Sequence, residues 1–181
     1  MLPPSFEELA VWAGEGRVVR ADPAAVTNWR LPEQEKAALV STGIPLIEGI
    51  VSVVTFSEVV LDDGRAAYQL AMNVDDEWPS VTTAFRAEPV SGEVWATCGE
   101  YRPFVNSSVL DWQRSLHLVG VWLATSTVIG RWDEDGDAED AALTELAVLR
   151  DRIREFDPAS YGKEGHHDTR YWPAVLDRWL Y

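Results

Sequence analysis

Hydrophobic positions along this chain repeat with two different periods, and the change from one to the other falls between Cys98 and Ser108. From Ile50 to Cys98 apolar and polar residues alternate, as they do in strands with one dry and one wet face. Ile50 to Leu61 is rich in Val and Thr, and Asp62-Asp-Gly64 supplies hairpin chemistry. The next run, Arg65 to Val74, puts Tyr68, Leu70, Met72 and Val74 on one face and Gln69 and Asn73 on the other. Ser80 to Glu88 repeats the pattern with Val81, Thr83, Phe85 and Ala87. After the turn residues Pro89-Val-Ser-Gly92, the run Glu93 to Cys98 places Val94, Ala96 and Cys98 on one side. Short strands joined by turns predict an antiparallel meander whose dry face has to be covered by helices.

Past Ser108 the spacing becomes helical. Val109, Trp112, Leu116, Val119 and Leu123 recur every three or four residues, with Ser107 or Ser108 placed to cap the helix and Asp111 at capping-box spacing from Ser108. Leu143, Leu146, Leu149, Ile153 and Phe156 trace a second long helix ended by Asp157-Pro158. A final short helix presents Trp172, Val175, Leu176 and Trp179, with Pro173 tolerated in its first turn. Two helices precede the strands. Ser5 and Glu8 form a capping box ahead of Phe6, Leu9 and Trp12, and Leu31-Pro-Glu-Gln-Glu opens a helix with proline at its first position and acids in its first turn. Gly43 stops that helix and Pro45 forbids its continuation. The predicted class is α+β, with a central antiparallel sheet of four to six strands and helices packed on one face. Residues 1–181 are expected to form one domain.

Charge changes this picture more than composition does. Hydrophobic content of 46% is ordinary, but thirty Asp and Glu against fifteen Lys and Arg leave a formal net charge of -15. Such a surface repels phosphate backbones and anionic bilayers, so nucleic acid and membrane are poor partners, while a basic protein would be attracted and steered. Acidity of this degree also serves solubility alone. The single cysteine, Cys98, cannot close an internal disulfide, and the first residues lack the basic, apolar build of a secretory leader. No apolar run approaches the ~18 residues that span a bilayer. The expected compartment is the cytoplasm.

Candidate chemistry is sparse. The acidic segment Trp132 to Asp140 offers Asp133, Asp135 and Asp137 at positions 1, 3 and 5 of a calcium loop, but glycine falls at position 4 and Thr144 at position 12. A solvated loop leading into the next helix accounts for it better. Glu164, His166, His167 and Asp168 carry metal-binding atoms, yet adjacent histidines diverge and lack the i, i+4 spacing that puts two on one helix face. No nucleophile elbow, Walker loop or dinucleotide fingerprint occurs. No metal, cofactor or catalytic residue is therefore expected.

Of nine tryptophans, Trp12, Trp112, Trp122, Trp172 and Trp179 fall on helical apolar faces and read as core. Trp78 differs, because it lies between two strands beside Asp75, Asp76 and Glu77. That pairing of one large ring with three acids suits an interface anchor surrounded by steering charge, and equally a packed lid. The candidate partner-binding residues are Asp75, Asp76, Glu77, Trp78, Asp133, Asp135 and Asp137.

The order of four short motifs adds a family. Leu31-Pro through Gly43-Ile-Pro-Leu, then Gly92-Glu-Val, then Phe104-Val-Asn-Ser-Ser with its helix, then Tyr171-Trp-Pro-Ala-Val-Leu-Asp, resembles the SUKH-4 branch of the SUKH (Smi1/Knr4-like) immunity proteins over roughly residues 30–181. The resemblance implies an α+β domain that neutralises a cognate protein toxin by direct, non-catalytic binding. An enzyme with a site assembled from scattered residues, or a general protein-binding adaptor on the same scaffold, are the alternatives the residues leave open.

Overall fold

The structure is a computed structural model that describes residues 3–74, 82–131, 136–162 and 169–177. Chain order begins with α1 (Phe6–Ala13), β1 (Val18–Val19), α2 (Pro23–Val26), α3 (Glu33–Ser41) and β2 (Ile44–Pro45). The meander follows as β3 (Val53–Val60), β4 (Ala66–Val74), β5 (Thr82–Ala87), β6 (Val94–Thr97) and β7 (Phe104–Asn106). Then come α4 (Val109–Thr125), α5 (Gly136–Phe156) and α6 (Tyr171–Asp177). Among the described residues, β3 to β7 form one antiparallel sheet in sequential order, and β1 pairs with β2 in a second, two-stranded sheet.

The serine caps of α1 and α4 operate as read. Ser5 Oγ accepts from Glu8 N–H at 3.2 Å while Ser5 N–H donates to Glu8 Oε2 at 2.7 Å, closing the capping box of α1. Ser108 Oγ accepts from Asp111 N–H at 3.0 Å and donates to the Asp111 carboxylate at 2.7 Å, which fixes the start of α4. Three boundaries differ from the sequence reading. Pro32 occupies the N-cap of α3 rather than its first helical position. The acidic loop is shorter than expected, because α5 already begins at Gly136 and takes Asp137, Glu139 and Asp140 into its first turns, where acids suit the positive helix end. Phe104–Asn106 is a strand, β7, too short for its alternation to register.

The sheet alternates as predicted except in β4. Its register shifts between Gln69 and Ala71, so Leu70 and Ala71 both enter the core and the phase reverses beyond them. Tyr68 and Ala71 are paired with the inward Ala87 and Phe85, whereas Met72 pairs with Ala84 on the opposite face. Met72 and Val74 therefore lie away from Tyr68, a correction to the strict two-residue pattern.

Helices and sheet share one core. It joins Tyr68, Phe85, Val94, Ala96 and Val105 of the sheet to Trp112, Leu116, Val119, Leu146, Ile153 and Trp172 of the helices. Trp112 and Trp172 are fully buried and Trp122 nearly so; Trp12 packs against the core at its edge, and Trp179 lies outside the described residues. Leu143, read as an inward position, is exposed, and Ala142 takes the buried place in α5. The N-terminal segment enters the same core through Val26, Trp29 and Leu31. Trp29 stacks on Tyr68 with ring centres 4.4 Å apart, and the Tyr68 hydroxyl accepts from Arg30 N–H at 2.7 Å.

Candidate interaction surface

Three places combine charge, burial and polar side chains, and their geometry separates structural duty from availability. The first is the Asn106-Ser-Ser segment. Asn106 is fully buried, and its amide nitrogen donates to Ser115 Oγ at 3.0 Å and Asp157 Oδ2 at 2.8 Å. Its amide oxygen accepts the Trp172 indole N–H at 2.9 Å. Ser107 donates to Asp157 through both its backbone N–H, at 2.9 Å, and its hydroxyl, at 2.7 Å. Ser108 caps α4. Three consecutive residues thus tie β7 to α4, to the residue after α5 and to α6. Each amide group of Asn106 is matched, so the cluster is a satisfied structural network. Its acidic member, Asp157, read from sequence only as a helix stop.

Glu35 is the second. Read as a first-turn acid of α3, it is 2% exposed. Gly92, whose φ is 73°, passes so close that a Cβ there would stand 2.0 Å from Glu35 Oε2. Burial pushes the Glu35 carboxyl up to about 7; the Asp111 charge adds to the rise, and a 3.4 Å hydrogen bond from Val109 N–H opposes it. A perturbed carboxyl is a candidate for chemistry. Glu35 lines none of the three described clefts, however, and its place is a seam between α3, the β5–β6 turn and the start of α4.

Between α1, α4 and the end of α5 lies the third, a groove of about 860 Å³. Its walls carry Arg20, Arg114, Arg152 and His117. Trp12 Nε1 can only donate, and it donates to His117 Nδ1 at 3.1 Å, so the neutral imidazole carries its proton on Nε2. Burial holds His117 below its ordinary range, with Arg152 acting in the same sense and Glu8 against it. The base nitrogen is therefore occupied, Ser5 and Glu8 are committed to the helix cap, and Thr42 Oγ1 donates to Pro4 O at 3.0 Å. These groups hold α1 in place rather than assembling a nucleophile and base.

The outer face of the sheet is different, because its side chains stand outside the core that sheet and helices share. Register pairs set out one row of Ser57, Gln69, Arg86, Trp95 and Phe104, and a second of Val53, Met72, Ala84 and Thr97. Trp95 meets Phe104 edge-on at 5.2 Å, and the Arg170 guanidinium lies 5.0 Å above the Phe104 ring. Arginine, tryptophan and methionine on one open face match the composition of interface centres. Alternation alone puts Arg86, Trp95 and Thr97 opposite the core, but their assembly into rows depends on pairing across strands.

Of the sequence-predicted partner residues, Asp137 is exposed in the first turn of α5. Asp75, Asp76, Glu77, Trp78, Asp133 and Asp135 lie outside the described residues. The first four belong to the connection between Val74 and Thr82, which pair with each other at the end of the β4–β5 ladder on the outer face. The run Glu164 to Asp168 also lies outside; among the described residues no three metal-ligating side chains cluster. Among those residues, too, no helix is long and apolar enough to cross a membrane.

Comparison with curated proteins and with solved structures gives no match. The model of the SUKH-4 immunity protein family matches residues 4–178, which includes α1 and the groove beside it as well as the motifs from Leu31 onward. The buried Asn106-Ser-Ser network, the sheet-and-helix core and this nearly complete match agree, and the chain belongs to the SUKH-4 immunity protein family.

Proposed function

We propose that this protein neutralises a cognate protein toxin by direct, non-catalytic binding in the cytoplasm of the cell that makes both. The observation that carries the reading is an open sheet face bearing Arg86, Trp95 and Met72 on a chain whose family is one of immunity proteins. The net charge of -15 supports a basic partner, drawn in over the ~8–10 Å reach of unscreened charge at physiological salt. In this reading Asp75, Asp76 and Glu77, and separately Asp133, Asp135 and Asp137, steer the encounter, and Trp78 anchors it. Val74 and Thr82, which flank the first segment in sequence, pair at the end of the β4–β5 ladder.

The test is a kinetic one, with the product of the neighbouring upstream gene taken as the candidate toxin. Converting Asp75, Asp76 and Glu77 to their amides, or Asp133, Asp135 and Asp137 to theirs, slows association in at least one case, with a deficit that shrinks as salt rises. Trp78→Ala instead speeds dissociation. If the wild-type protein neither binds that toxin nor protects a cell expressing it, the proposed function fails. If it binds and all three variants match it, the acidic segments and Trp78 are not the interface.

A further inference from the structure

Among the described residues Arg86 has no ion-pair partner, in a chain of thirty acids. It stands in the outer row of β5. Arg86 Nη1–H donates to Thr97 Oγ1 at 2.5 Å, but its Nε is buried with no partner. Its register neighbour Trp95 likewise buries the indole Nε1–H unmatched. Side chains of a register pair leave the sheet side by side. Buried donors in folded proteins are matched as a rule, so two orphans on adjacent strands at one place call for an acceptor.

Both side chains line a cleft of about 90 Å³, with Arg65, Ala67, Thr97 and Arg102 around them. That is room for several waters or for one carboxylate. The rim charges are already committed: Arg65 binds Asp63 and Glu88, and Arg102 binds Asp63. Burial, followed by repulsion from Arg102, makes the cationic form of Arg86 less favourable, and attraction from Asp62 only partly offsets them. Water could satisfy the indole but would not neutralise the guanidinium.

We infer that this cleft receives the carboxylate of an Asp or Glu side chain of the bound toxin, its oxygens accepting from Arg86 Nε–H and Trp95 Nε1–H. The inference deepens the proposed function and rests on it. A protein-borne carboxylate is favoured over a free anion because the overall negative field repels small anions, whereas a basic partner carries its own carboxylate in with it. One buried pair of this kind fixes the register of the docked partner, since any other placement leaves Arg86 unmatched.

Affinity for that candidate toxin is measured with Arg86→Gln, Arg86→Lys and Trp95→Phe. Loss of the guanidinium in Arg86→Gln weakens binding by about 30-fold or more, chiefly through faster dissociation. Trp95→Phe keeps a ring and loses the N–H, and weakens binding about tenfold. Arg86→Lys keeps the charge but not the fork and falls between them. All three melt close to wild type, which a merely structural role would not allow. Unchanged affinity in Arg86→Gln and Trp95→Phe, with wild type still binding, overturns the inference and leaves toxin binding intact. A second arm needs no toxin: the Trp95 indole N–H resonance of the free protein is followed during titration with N-acetyl-glutamate amide, acetate and inorganic phosphate. The two carboxylates shift it, and Arg86→Gln abolishes the shift. Absence of any shift with both carboxylates overturns the inference even where toxin binding itself fails. A shift with phosphate at lower concentration than with either carboxylate marks a free-oxyanion site and overturns the partner assignment.

Discussion

Replacing Glu35 with Gln removes one proton equilibrium from the core while keeping the side chain's shape. In the folded protein this carboxyl is raised from 4.5 to about 7, mainly by burial. Below the lower value both folded and unfolded chains hold the proton, and no penalty exists. As pH climbs from 4.5 to about 7 the unfolded chain ionises first, so stability falls, and above about 7 the loss is complete. Each unit of pKa difference corresponds to ~1.4 kcal/mol, which makes the total about 3 kcal/mol. The stability gap between Glu35→Gln and wild type should therefore widen in favour of the variant by about 2–3 kcal/mol between roughly pH 5 and pH 8. In melting temperature that is about 5–10 °C for a chain of this size. Urea unfolding of both proteins at the two pH values measures it, and the difference between proteins cancels every other titrating group. Any mismatch of the Gln amide shifts both pH values equally. A gap that is the same at both would refute the reasoning, because it would mean that Glu35 ionises in the folded state as readily as in water.

Other perturbations test the scaffold. Ser108→Ala removes the α4 cap and should lower stability by about 1 kcal/mol in denaturant unfolding, with toxin binding retained. Asp157→Ala strips acceptors from Asn106 and Ser107 and should cost about 3 kcal/mol, read as a fall in the urea midpoint. Val90 centres a tight turn with φ 75°, closed by Ser91 N–H to Pro89 O at 3.0 Å, a conformation β-branched residues resist. Val90→Gly should therefore raise stability by about 1 kcal/mol after the entropic cost of glycine, and a loss measured by thermal unfolding would contradict the strain.

Much of the architecture was legible because local rules and global fold agree. The capping box at Ser5, the serine cap at Ser108 and the three-and-four spacing of Val109, Trp112, Leu116 and Val119 are properties of a few consecutive residues. The alternation of Phe85 and Ala87 with Ala84 and Arg86 is equally local. Where reading failed, distant neighbours decided. Glu35 looks like any first-turn acid until the fold lays Gly92 against it, and Asp157 looks like a helix stop until Asn106 and Ser107 close on it from fifty residues away. The candidate surface divides the same way. Trp78 and its acids stood out by composition, whereas Arg86 and Trp95 are unremarkable apart and become a site only as register partners.

What the sequence determined by itself was element type, the order of elements and the sign of the surface, all set by periodicity, capping and net charge within short windows. Only the tertiary structure decided the reversal at Leu70 that sends Met72 outward, the burial of Glu35 and the pairing that strands the charge of Arg86. Register, burial and charge matching are relations between residues far apart in the chain. Their energies are settled when strands and helices meet, so no local pattern carries them.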